Sequence, residues 1–220
     1  MSPARRKLLP PRNLPWPLRD SRDAVTSLEQ DEYGRLVMRI RHQTLRGVTP
    51  GQLEWWFRNI GGDIAIGGVT MARYHAWHPF DHIHWALARP APDGGAGAGA
   101  LFHIVEAFGA DPAMLIDVVE EVVRLDESGI TLVNRRAGIE LSRLSHDFVA
   151  TPEGTDYISC LTVGVAVRPL SAALNPIIRR FVFTEAMGHA WLRHNVEEVG
   201  LLEHLLPLLD APRAAAPAAA

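Results

Sequence analysis

The sequence predicts an α+β fold, a curved antiparallel sheet with its helices packed on one side. Two observations carry this. Short runs of alternating apolar and polar residues, divided by turn residues, fill much of the chain after Gly34. A final segment from Pro176 to about Leu205 then offers roughly 30 helix-compatible residues, or about 45 Å of helix. Size agrees: 220 residues, 47% apolar and 21% charged, suit one domain with a real core. A sheet gripping a long helix encloses a cavity, which is where chemistry is expected.

The elements follow in order. "MSPARRKLLPPRNLPWPLRDS" is basic and broken by prolines before an apolar signal region can form, so residues 1–23 read as a flexible arm. Residues 24–208 read as the single catalytic domain. "GRLVMRIRHQTL" alternates as a strand does. In "VTPGQLEWWFRNIGG", Thr49 suits an N-cap, Pro50 the first helical position, and Gln52 completes a capping box. Gly61 and Gly62 end that helix, whose apolar load is Leu53, Trp56, Phe57 and Ile60. "HIHWALA" and "LFHIVEAFG" read as strands joined by the flexible "PAPDGGAGAGA". "DPAMLIDVVEEVVRL" reads as a helix, with a strand competing because of its Val and Ile. Two or three strands follow up to Val167, with "TPEGTD" as a turn. Gly188 and Gly200 weaken the last helix, and a bend is expected at either. Residues 209–220 read as a disordered Ala/Pro tail.

Composition excludes several functions. A net charge of -3 without a long basic run offers nucleic acid no attraction. No apolar stretch reaches the roughly 18–20 residues of a membrane span. Cys160, the one cysteine, excludes an internal disulfide and fits a reducing cytoplasm. It lies in an apolar run that makes it a remote candidate for a nucleophile.

The chemistry centres on "YHAWHPFDHIHW", residues 74–85, which holds four of the ten histidines. On the last helix His194 and Glu198, four residues apart, share a face with Met187, Trp191, Leu201 and Leu205. A carboxylate there is costly unless paired or bound to metal. Arg193 and Glu197, one face over, read as a solvent-exposed ion pair of small worth. In "LFHIVE", period-two alternation places Glu106 on a face with Phe102 and Ile104. Two helix residues, this carboxylate and one histidine of the cluster would make a two-His, two-carboxylate site suited to zinc, iron or manganese. No HExxH is present, and Ala86 to Arg89 supply no cupin glutamate after "HIH".

The ordered combination "YHAWHPFDH", "FHIVE", "SHDF" and "HNVEEVG", with "GVTPGQLEWWF", resembles the 2,4-diacetylphloroglucinol hydrolase and phloretin hydrolase family over about residues 34–204. The resemblance implies a helix-grip, START-like domain and a zinc-dependent hydrolase that cuts the carbon–carbon bond between a phenolic ring and an acyl group. It implies one Zn2+ per chain, held by His82, Glu106, His194 and Glu198. His82 is preferred to His78 because the family's active-site tyrosine precedes its ligand by eight residues, as Tyr74 precedes His82. His146 falls on a further active-site histidine of the family, and Tyr157 matches a second tyrosine. Trp77, His78 and Asp81 would shape or orient the site, and His75 and His84 would be structural. The resemblance implies an acylated phenol as the small-molecule partner and, by analogy alone, a homodimer, while charge and hydropathy point to no nucleic-acid or membrane partner. The chain looks shorter than the family's at its N-terminus, and the Ala/Gly linker before Leu101 alters the His82–Glu106 spacing. Both departures bear on substrate more than on metal. Two other functions fit the sequence: a non-catalytic carrier of a hydrophobic or aromatic ligand, and a metal hydrolase acting on another ketone.

Overall fold

Capping and alternation decide most elements locally. The computed structural model describes residues 8–210. In chain order its elements are β1 (Val25–Gln30), β2 (Leu36–Arg41), β3 (Leu45–Arg46), α1 (Pro50–Asn59), β4 (Asp63–Ile66), β5 (Val69–Ala72), α2 (Arg73–Trp77), β6 (His82–Arg89), β7 (Leu101–Ala107), β8 (Leu115–Asp126), β9 (Gly129–Arg136), β10 (Ile139–Thr151), β11 (Gly154–Val163), α3 (Leu170–Phe181) and α4 (Glu185–Asp210). Thr49 and Gln52 form the expected capping box at the start of α1.

The main sheet runs β1-β2-β11-β10-β9-β8-β7-β6, with β3 beside β11, while β4 and β5 form a separate hairpin. Every pairing is antiparallel. Bulges between His82 and His84, Val122 and Arg124, and Glu140 and Ser142 bend the strands that carry them. Met187, Trp191, Leu192 and Val196 of α4 pack on Met38, Ile40 and Leu161 of the sheet. Farther along, Val199, Leu202 and Leu205 of α4 share a core with Trp56 and Phe57 of α1 and with Ile130, Leu132 and Phe148. This is the α+β helix-grip arrangement. No helix among the described residues is long and apolar enough to cross a membrane.

Three expectations need correction. The stretch expected to be helical after Asp111 is one 3-10 turn, Pro112–Met114, followed by the twelve-residue strand β8. Pairing with β7 and β9 buries Glu120 and Val122 and leaves Val119 exposed. Its β-branched residues favour that outcome once neighbouring strands are available. The long last helix is two helices. The Val182 and Phe183 N–H groups both donate to the Ile178 carbonyl, and the Thr184 hydroxyl accepts from the Met187 N–H to cap α4. The break therefore avoids both glycines, which permit close approach. A Cβ on Gly188 would lie 2.6 Å from Leu28 Cδ1, and one on Gly200 would lie 2.7 Å from Arg19 Cβ.

The N-terminal segment makes contacts that a flexible arm does not. Leu14, Trp16 and Leu18 pack on the core. Trp16 stacks on His204 at 5.2 Å, and Arg19 pairs with Glu203 at 2.8 Å. Arg12 donates to the Pro79 and His82 carbonyls at 3.3 and 3.2 Å. The Ala/Pro tail lies outside the described residues from residue 211.

Glu120 on β8 generates a stability prediction. Burial, reinforced by Glu106 and opposed by a hydrogen bond from Ser142, raises its pKa from 4.5 to about 7. The folded protein thus holds a proton that the unfolded chain releases. Stability should fall as pH rises from about 4.5 to about 7 and lose nothing more to this group above that. Glu120→Gln should stabilise by about 1–3 kcal/mol at pH 8 and have little effect near pH 4. Urea denaturation at both pH values checks this, and an equal effect at both would refute it.

Candidate metal centre

The site forms where the start of β6, the end of β7 and the middle of α4 meet. In register, His82 stands opposite Glu106. The helix brings His194 and Glu198 over them. His82 Nε2 lies 3.4 Å from Glu106 Oε1 and 3.3 Å from Glu198 Oε2. His194 Nε2 lies 3.6 Å from Glu106 Oε2 and 3.8 Å from Glu198 Oε2. The structure thus brings together all four residues that the resemblance assigned to metal.

The hydrogen bonds behind these rings decide their protonation. His82 Nδ1 sits 2.6 Å from the Tyr74 carbonyl, an acceptor, so Nδ1 carries the proton. Burial holds the ring well below its ordinary pKa, with His194 and His78 adding to the effect. In this neutral ring Nε2 bears a lone pair, and it is buried without a hydrogen-bond partner among the described residues. His194 is held likewise, Nδ1 donating to Asp81 Oδ2 at 2.9 Å. Two lone pairs therefore face two carboxylates, which only a cation or added protons can reconcile. Without a cation, burial lowers the His194 pKa, but Glu198, Asp81 and Glu106 outweigh it and raise the value. Burial pushes Glu198 upward against the attraction of His194.

The donor set fits a divalent metal. His82, Glu106 and His194 form the compact set, with ligand atoms within 4.8 Å of one another, and Glu198 stands against both rings. N/O ligands at about 2.0–2.1 Å from zinc would stand about 3.3–3.4 Å apart, near the imidazole–carboxylate separations. The supporting bonds are those that metal-binding histidines usually make. Asp81, which orients His194, accepts from the Gly109 and Ala110 N–H groups at 2.9 Å each. Ala110 adopts φ 53° to present its N–H, a conformation unusual without glycine. Asn195 donates to Glu198 Oε1. Tyr74 stacks on the His82 ring at 4.0 Å while its hydroxyl donates to Glu106 Oε1 at 2.6 Å.

His78 is placed otherwise. Its Nδ1 accepts the Asp81 N–H at 3.1 Å and its Nε2 donates to Glu197 at 3.1 Å, so both nitrogens are engaged. It forms a second compact cluster with Asp81 and His194, but those atoms already bond one another or the backbone. The ring stacks on His194 at 4.5 Å and buttresses it. Glu197 is more than half of a surface ion pair, being mostly shielded and bonded to His78 as well as 3.7 Å from Arg193. His75 bonds the Ile83 carbonyl at 3.0 Å and His84 meets His103 edge-on, as structural histidines would.

A cavity of about 50 Å3 is lined by three of the four donors, Glu106, His194 and Glu198. Phe57, Trp77, Trp85, Phe102 and Leu144 supply apolar wall, and Tyr74 and His146 join the donors in the polar part. Burial pushes His146 down to about 3, so the ring is neutral at ordinary pH. Tyr157 stands behind it at 5.2 Å and is not part of the cavity wall. Its hydroxyl is buried without a partner among the described residues. Sequence reasoning missed His42, which reaches His146 through Ser159. Its position on the inward face of the run Leu36, Met38, Ile40, His42 was the available signal.

The chain matches no family model and no curated protein. Solved structures to which it is similar include a START superfamily protein from Mycobacterium smegmatis, at 11% identity and TM-score 0.49, covering 78% of this chain and 98% of that one. Others are major latex-like protein 151 from Panax ginseng, at 10% identity and TM-score 0.41, covering 73% and 96%, and Ara h 8.0201, at 12% and 0.41, covering 74% and 98%.

Proposed function

We propose that this protein is a metal-dependent hydrolase that cleaves the carbon–carbon bond between a phenolic ring and its acyl group, releasing a carboxylic acid. The observation that carries the reading is the pair of imidazole Nε2 atoms aimed at Glu106 and Glu198 beside a cavity that also holds a neutral histidine. The likeness of the sequence motifs to acylphloroglucinol and phloretin hydrolases supplies the substrate class. His82, Glu106, His194 and Glu198 would hold zinc, which supplies Lewis-acid polarisation of the reacting oxygens.

The chain's own residues do the rest. An aryl ketone does not release a ring carbanion easily, so the ring carbon must gain a proton before the bond breaks. A phenolic hydroxyl ortho or para to the acyl group permits this by giving a dienone-like keto tautomer. Water then adds to the acyl carbonyl, the ring leaves as a stabilised phenolate, and the acyl group departs as the acid. His146, neutral and on the cavity wall, moves the proton at its ring nitrogen Nε2. Tyr74, fixed by Glu106, positions a phenolic oxygen, and the aromatic walls exclude other water. A monocyclic acylphenol exceeds the cavity, so wall side chains must part to admit it.

The apolar walls favour a second reading, a non-catalytic carrier of an aromatic ligand. It expects binding without metal or turnover.

Metal content separates these readings. Purified protein should carry about one metal per chain, and His82→Ala, His194→Ala and Glu198→Ala should each fall well below that by elemental analysis. Arg193→Ala and His78→Ala should keep most of it. Full occupancy in both the His194 and Glu198 variants would sink the site.

Chemistry is tested apart from metal. His146→Ala should retain metal and fold but lose roughly 10²–10⁴ in the rate of acid release from an acylphenol. The corresponding methyl ether should not be cleaved even by the unaltered protein, because it cannot form the keto tautomer. Normal cleavage of the ether would rule out the mechanism.

A further inference from the structure

His146 needs a source and a sink for protons, yet its cavity is small and its ring is buried. The other side of that ring supplies a path. His146 Nδ1 lies 2.9 Å from Ser159 Oγ, and the same oxygen lies 2.9 Å from His42 Nε2. All three side chains are buried. They come from three adjacent strands or their ends, Ser159 of β11 standing directly opposite His146 of β10. His42 extends the inward face of β2, and its N–H donates to the Tyr157 carbonyl. His42 is one of the residues lining a surface cleft of about 530 Å3, bounded also by Arg19, Arg41, Gln43, Thr44 and Asp156. The remaining ring nitrogen, His42 Nδ1, is buried without an aligned partner among the described residues, although Asn195 approaches the ring. Such an atom calls for water.

We propose that His42 and Ser159 form a hydrogen-bonded proton relay that connects His146 in the small cavity to solvent in the surface cleft. The inference rests on the hydrolase reading for its purpose, but the relay itself is a property of three side chains. A serine hydroxyl donates one hydrogen bond, so the two rings must play complementary parts. Either His42 Nε2–H donates to Ser159 and Ser159 donates to His146 Nδ1, or the whole chain runs the other way. In the first arrangement both rings carry their proton on Nε2, and in the second both carry it on Nδ1.

Protons balance in each direction. When His146 gives its Nε2 proton to the substrate ring carbon, the Ser159 hydroxyl proton moves to His146 Nδ1. The His42 Nε2 proton then moves to Ser159, and one proton enters from water at His42 Nδ1. When His146 Nε2 later accepts a proton from the attacking water, every step reverses and one proton leaves through His42. Each hydrolysis restores the starting tautomers. Burial, with a smaller effect from His146, pushes His42 down to about 3, so both rings are neutral between transfers.

Nitrogen-15 NMR of the full-length, metal-loaded protein labelled at histidine tests the relay without substrate. His42 and His146 should share one tautomer, or exchange between the two shared states, and Ser159→Ala should uncouple them. Opposite tautomers in the unaltered protein would overturn the proposal. In turnover, Ser159→Ala should keep metal and lose roughly tenfold or more, part of the 10²–10⁴ that a general acid–base supplies. Ser159→Thr, which retains the hydroxyl, should recover most of it. His42→Ala should be rescued saturably by imidazole entering from the cleft. Unchanged turnover in Ser159→Ala would overturn the relay. If the unaltered protein cleaves no acylphenol, the hydrolase reading fails, and the tautomers still decide the relay.

Discussion

Two imidazole lone pairs pointed at two carboxylates are the constraint around which this fold is arranged. Burying one unpaired carboxylate is already costly, and here Glu198 and the His82 and His194 rings are all nearly inaccessible. The rings cannot relieve the conflict by turning, because Tyr74 and Asp81 hold their other nitrogens. Protonation relieves it in part, on His194 Nε2, where the carboxylates outweigh burial, or on Glu198, which burial pushes upward. A divalent cation relieves it outright and uses all four donors at once.

Much of the architecture serves this meeting of sheet and helix. Gly188 and Gly200 let α4 lie against Leu28, Met38 and Arg19 at distances that any side chain would forbid. The turn after β7 bends through Gly109 and Ala110 so that two backbone N–H groups fix Asp81, which in turn fixes His194. Arg12 ties the N-terminal segment to the carbonyl of His82, and Arg19 ties it to Glu203 on the helix. Strand end, helix and N-terminal segment are thus joined at the donor cluster. Displacing any one of them moves a member of that cluster.

The parts legible in the sequence were those with local causes. Thr49 and Gln52 cap a helix whatever lies around them. Alternation alone put Glu106 on a face with Phe102 and Ile104, and helical spacing put His194 above Glu198. What escaped was decided by contacts distant in sequence. Residues 115–126 carry both helical and strand tendencies, and only the flanking β7 and β9 choose between them. The break at Val182–Thr184 has no glycine or proline to announce it, since it depends on where Phe183 is buried and Thr184 caps. Prolines in the N-terminal segment suggested freedom, but Leu14, Trp16 and Leu18 find partners on the core. Alternation in the run from Gly34 does not by itself single out His42, because its link to His146 passes through Ser159 on the neighbouring strand.

The division of the cavity wall bears on what such a site can do. A carrier gains affinity from aromatic and aliphatic surface and has no use for four converging ionisable groups, which penalise an apolar ligand unless neutralised. A hydrolase needs both surfaces. The aromatic wall holds a ring and displaces water, and the displaced water strengthens each electrostatic contact that remains. In so small a space a seated ring would leave little room for water or protons at its own entrance. A buried neutral histidine there is useful only if its second nitrogen has somewhere to send a proton, and Ser159 is the group that Nδ1 meets. The hydrogen-bonded chain from His146 of β10 through Ser159 of β11 to His42, just after β2, would be such an exit.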